Sequence, residues 1–87
     1  MSDQMWHLSI AFTEDEQRTR ADAVLELASG RFHGWGQAKR SPSDPNVPVV
    51  GEELAAARAL SDVSHQLLHA AAERIEEWEG HEVRVEH

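Results

Sequence analysis

The chain has 87 residues, with 16 Asp plus Glu against 8 Lys plus Arg, a formal charge of −8, three prolines and no cysteine. Its size supports one modest core, with about 64% of the unfolded surface buried, and the missing Cys excludes disulfides, thiolate zinc sites and nucleophilic thiols. No uncharged stretch approaches the roughly 18 apolar residues of a membrane span, the polar N-terminus does not read as a secretory signal, and there is no basic tail for nucleic acid; the expectation is a cytoplasmic domain.

Residues 5–13 alternate, with Trp6, Leu8, Ile10 and Phe12 on one face and His7, Ser9, Ala11 and Thr13 on the other. Period two with one bulky apolar face predicts a half-buried strand. A competing reading makes Thr13 a helix N-cap with Glu16 at capping-box spacing. A second strand is predicted over 20–28, where Ala21, Ala23, Leu25 and Leu27 alternate with Arg20, Asp22, Val24 and Glu26. A third follows over 31–40, with Phe32, Gly34, Gly36 and Ala38 on one face and His33, Trp35, Gln37 and Lys39 on the other. With Ser29-Gly30 as a two-residue hairpin loop, Leu27 faces Phe32, Leu25 faces Gly34, Ala23 faces Gly36 and Ala21 faces Ala38. Glycine weakens a strand unless another backbone comes close. Two inward glycines therefore predict an element packed tightly above them.

A Pro-rich connector over 41–49 breaks both periods. From about 50 to 79 the chain is rich in Ala, Leu and Glu, and an apolar stripe of Ala57, Leu60, Val63, Ser64, Leu67, Leu68, Ala71, Ile75 and Trp78 predicts an amphipathic helix. Such a helix spans roughly 42 Å against roughly 30 Å for a strand, so it overhangs its sheet or bends. Gly80 suits a C-terminal cap, and the tail over 80–87 alternates briefly, as a short strand would. The predicted fold is α+β, one domain of two layers. A three-stranded antiparallel sheet is covered on one face by a long C-terminal helix, in the order β-β-β-α.

Four segments carry a resemblance: Trp6 opening an alternating strand, Thr19-Arg20-Ala21-Asp22-Ala23, Gly34-Trp35-Gly36-Gln37-Ala38, and the stretch from Gly51-Glu52-Glu53-Leu54 to Arg58-Ala59-Leu60-Ser61-Asp62. Together they resemble a small uncharacterised actinobacterial family described as having a fold like the double-stranded-RNA-binding domain. The resemblance implies a fold and supplies no catalytic residue. It also raises RNA binding, which in those domains uses a basic start to the last helix and a His-bearing loop between the first strands. Here those sites read Gly51-Glu52-Glu53 and Thr13-Glu14-Asp15-Glu16, and the leading helix is missing. The charge argues against RNA.

Few constellations carry chemistry. His65 and His69 share a helix face with Glu73, a weak candidate for a metal, but they lie opposite the apolar stripe among Arg58, Asp62 and Glu76. Arg18, Arg20, Lys39 and Arg40 form a cationic cluster, with Arg20 expected to face Lys39; the group is a candidate anion site or is neutralised by Glu14, Asp15 and Glu16. Trp35 is expected on the outer sheet face opposite Val24 and beside Ala11, an apolar patch that a partner would cover unless Val83 and Val85 do. Gly34-Trp35-Gly36 precedes no helix and is not a dinucleotide fingerprint. The expectation is therefore a non-enzymatic interaction domain without cofactor that self-associates, as a dimer or larger, through Trp35, Val24, Ala11 and Trp78. The alternative is a weak nucleic-acid or anion binder on the Arg18/Arg20/Lys39/Arg40 edge.

Overall fold

The computed structural model describes residues 3–41, 43, 45 and 47–79. Strands β1 (His7–Glu14), β2 (Arg18–Leu27) and β3 (Gly30–Lys39) precede one helix, α1 (Pro48–Glu79). The sheet has the order β1-β2-β3, both pairings antiparallel. Thr13 lies inside β1, so the alternation prevails over the capping-box reading. The suggested cap at Gly80 and the tail residues Val83 and Val85 lie outside the described residues.

The faces are as the alternation predicts, but the β2–β3 register differs by two residues. Leu27 pairs with Gly30, Leu25 with Phe32, Ala23 with Gly34, Ala21 with Gly36 and Thr19 with Ala38. A Ser29-Gly30 loop in either primed turn type would need positive φ at Ser29, which a residue with a Cβ resists. Instead the loop is Ala28-Ser29, and Gly30 takes the positive φ of 146°. Moving the loop back by one residue shifts the register by two, which leaves every side chain on its face. Two expected neighbours change with it. Arg20 faces Gln37 and Arg18 faces Lys39, while Trp35 faces Asp22 and Val24 faces His33.

Small residues decide how α1 lies on the sheet. The buried core consists of Ala21, Ala23, Leu25, Ala38, Ala55, Ala59 and Val63, with Ile10, Leu27, Phe32 and Leu67 packed around it. Among the described residues no large side chain is fully buried. A Cβ at Gly34 would sit 2.7 Å from the Ala59 carbonyl oxygen, and one at Gly36 would sit 2.5 Å from the Ala59 nitrogen and 2.7 Å from the Ala55 carbonyl oxygen. Helix backbone thus rests directly on strand backbone, the close approach that two inward glycines predict. Near the start of α1, Gly51 is equally tight against Thr19, whose Oγ1 would lie 2.8 Å from an added Cβ.

The stripe against the sheet is Ala55, Ala59, Val63 and Leu67, four residues apart; Val63 and Leu67 of the expected stripe belong to it, whereas Ala57, Leu60, Ala71, Ile75 and Trp78 are exposed. Glycines at β3 admit only a flat helix face, so the alanine row goes under and the bulkier Leu60 is displaced to the flank. The adjacent row on the other flank is polar, and it closes the free edge of β3. Arg58 Nη1 donates to the Gln37 carbonyl, the Trp35 N–H donates to Asp62 Oδ2 at 3.0 Å, and Gln66 Nε2 donates to the His33 carbonyl at 2.7 Å. One helix row therefore satisfies one edge group on each of three alternate residues, His33, Trp35 and Gln37. The helix is longer than expected at 32 residues, starting at Pro48, where the missing proline N–H leaves no orphan donor. It spans ~48 Å against ~33 Å for a ten-residue strand, so its last turns project past the sheet.

Replacing Gly36 by Ala forces helix and sheet apart at the Ala55–Ala59 contact. We expect Gly36→Ala to destabilise the fold by roughly 1–3 kcal/mol, the usual cost of overpacking. Urea unfolding measures it, and an unchanged midpoint would contradict the backbone-to-backbone packing.

Candidate interaction surfaces

The outer face of the sheet, away from α1, carries a polar cluster around Trp35. Arg20 grips Asp22 with two parallel bonds, Nε to Oδ2 at 3.1 Å and Nη2 to Oδ1 at 3.0 Å. His33 Nε2 reaches the same Asp22 Oδ1 at 2.9 Å. The guanidinium so fixed lies 4.4 Å from the centroid of the Trp35 ring, within cation–π range. Trp35 is 46% exposed, yet its nearest neighbours are charged. Ala11 does lie beside this cluster, paired with Asp22 from the β1 side. Val24 is half-buried one pair further along.

The cationic residues separate into two places. Arg20 belongs to the Trp35 cluster and is neutralised by Asp22 on its own strand, not by the β1–β2 turn. Arg18, Lys39 and Arg40 line a cavity of about 330 Å³ where β2 begins and β3 ends, together with Asp15, Glu16, Val50 and Leu54. Arg40 is anchored there through backbone groups, its Nη2 donating to the Glu16 carbonyl and its N–H to the Gln17 carbonyl. Asp15 folds the turn, accepting from the Gln17 and Arg18 N–H groups, both at 2.8 Å.

On the helix, His69 Nε2 meets Glu73 Oε1 at 2.8 Å on an exposed face. Among the described residues no group of three or more His, Asp or Glu side chains is placed to hold a metal ion. Trp78, near the end of the helix, is 91% exposed.

A further surface was not singled out by the sequence. Helix α1 lies over β2 and β3 and hardly touches β1. Trp6, Leu8 and Phe12, on the face expected to be buried, stay 50%, 48% and 40% exposed. Only Ile10 reaches the core. The signal was available in dimensions: a helix about 10 Å wide covers two strands spaced about 4.8 Å apart, and the third is left bare. The polar row of α1 faces the β3 edge, so the opposite flank, with Leu60 and Ala71, borders this bare strip.

Two carboxylates are held below their ordinary range, and both feel acid. The Arg20 and then the His33 hydrogen bonds lower Asp22, while the Gln17 and then the Arg18 N–H groups lower Asp15. A depressed folded value contributes stability that is complete above the unfolded value, 3.8 for both, and is lost as pH falls through the folded one. We expect stability to drop below pH 3.8 and Asp15→Asn/Asp22→Asn to flatten that acid limb. Urea midpoints between neutral and acid pH measure it; parallel curves for the two proteins would refute the assignment.

The chain is similar to several known proteins. Among curated proteins it is 41% identical over 73 residues to the uncharacterized protein Mb1767 of Mycobacterium bovis, covering 84% of this chain and 78% of that one. It is also 41% identical over 69 residues to the uncharacterized protein Rv2632c of Mycobacterium tuberculosis, covering 79% and 74%. The crystal structure of Rv2632c superposes with a TM-score of 0.84 at 34% identity, over 93% of this chain and 96% of that one. The model of the Rv2632c-like family matches residues 4–84. With nearly the whole chain matched in sequence and in fold, this protein belongs to the Rv2632c-like family of uncharacterised mycobacterial proteins.

Proposed function

We propose that the chain is a non-enzymatic interaction module that associates with a second copy of itself. The observation that carries this reading is the bare apolar strip of Trp6, Leu8 and Phe12 beside the helix flank. A contiguous apolar surface rimmed by polar residues marks an interaction site. The charge distribution favours a protein over a polyanion, since α1 from Glu52 to Glu79 carries seven acidic and two basic residues while Gln17 to Arg40 carries five basic and two acidic.

Sedimentation equilibrium tests this directly. Wild type is expected at twice the 9.8 kDa chain mass. Leu8→Lys, which adds charge at a half-exposed position, is expected at the monomer mass with an unchanged far-ultraviolet spectrum. A wild-type monomer at the highest concentration studied would remove the proposal.

A second reading, anion or nucleic-acid binding, draws on Arg18, Lys39 and Arg40 around the cavity. Asp15 and Glu16 line the same space and offset most of that charge. No mobility shift of duplex RNA is expected even at low salt, where phosphate contacts are strongest. A shift that weakens as salt rises would favour the second reading.

A further inference from the structure

The two edges of the sheet are treated differently. On β3, Arg58, Asp62 and Gln66 occupy the backbone groups of Gln37, Trp35 and His33. Because the edge-facing groups of β3 belong to its odd residues, the ladder parity carries across the sheet. The odd residues of β1 then bond β2, and the even ones, Leu8, Ile10 and Phe12, direct N–H and C=O outward. Among the described residues no side chain bonds that edge. It is also uncharged: from His7 to Thr13 no Asp, Glu, Lys or Arg occurs, whereas β2 and β3 carry Arg18, Arg20, Asp22, Glu26, Arg31 and Lys39 on the outer face. Free edges in monomers are normally guarded by charge, proline, a bulge or a covering element. Among the described residues, one edge is guarded and the other is left open.

Resting on the self-association proposed above, we infer that β1 pairs antiparallel with β1 of a second copy, joining two sheets into one of six strands. A two-fold pairing keeps each residue on its own face only when facing residue numbers have an even sum. Two such registers span most of β1. In one, Leu8 faces the partner's Glu14, which sets an apolar side chain against a carboxylate. In the other, Ile10 lies on the two-fold axis and Leu8 faces the partner's Phe12. The second sets each apolar residue within β1, namely Leu8, Ile10 and Phe12, against another, and leaves Glu14 beside the partner's Trp6 only at the end of the ladder, outside β1. It sets Ser9 against the partner's Ala11 and His7 against the partner's Thr13 on the outer face, with no like charges opposed. The two bare strips then merge into one apolar surface between the two helices, and the second copy is the occupant that the strip lacks.

The natural absence of cysteine makes the register testable by crosslinking. Ser9 and Ala11 are exposed on the outer face, so Ser9→Cys and Ala11→Cys leave the core untouched. In the proposed register Ser9 and the partner's Ala11 form a non-hydrogen-bonded pair, with Cα atoms about 4.5 Å apart. Identical positions lie two residues out of line, about 8 Å apart by strand spacing and rise, beyond the roughly 6.8 Å limit for a disulfide. The two variants, mixed under reducing conditions and then oxidised, are expected to give a covalent dimer that neither gives alone. A wild-type dimer in sedimentation without this selective crosslink overturns the edge pairing and leaves self-association standing. A wild-type monomer overturns both.

Discussion

Gly34 and Gly36 allow the carbonyl of Ala59 and the nitrogen of the same residue to approach β3 more closely than any side chain would permit. From that approach the rest of the arrangement follows. A helix lying so low must present alanine downward, so Ala55 and Ala59 become core and Leu60 does not. The row next to the alanines then falls level with the β3 edge, where Arg58, Asp62 and Gln66 can reach backbone groups. Tight seating over β2 and β3 also leaves β1 without cover. A core of alanines contributes less transfer free energy than one of leucines, since burial scales with apolar area at roughly 25 cal/mol per Å². This gives the chain a physical reason to seek further burial from outside.

Much of the architecture was legible in the sequence. Strict alternation in β1, β2 and β3 specified three strands and their faces, and the prolines from Pro42 to Pro48 marked the passage into the helix. The inward glycines announced a close neighbour. What could not be read was relative placement. The wheel of α1 shows an apolar stripe around Leu60, Leu67 and Ala71, but it cannot show that the alanine row beside it fits a glycine-lined sheet better. Likewise the hairpin register hinged on whether Ser29 or Ala28 began the loop, a difference of backbone φ at one residue.

The candidate surfaces show the same division. Trp35 is exposed on the outer face, but Arg20 and Asp22 give it charged company that alternation alone does not reveal. They come together through the β2–β3 register, and the two-residue shift set Asp22, not Val24, opposite Trp35. The bare strip on β1 was written in the sequence as a face that should be buried. Its exposure depends on the width of one helix against three strands, which periodicity does not encode.

The polar row of α1 has a consequence for the size of any assembly. By occupying the β3 edge, Arg58, Asp62 and Gln66 leave the sheet with one growing end. A building block with two open ends propagates into a ribbon, as edge-to-edge aggregates do, whereas a block of valence one stops when two have met. With the β3 edge so occupied, strand addition at β1 would stop at a closed pair, because the joined sheet would end on both sides in an occupied edge.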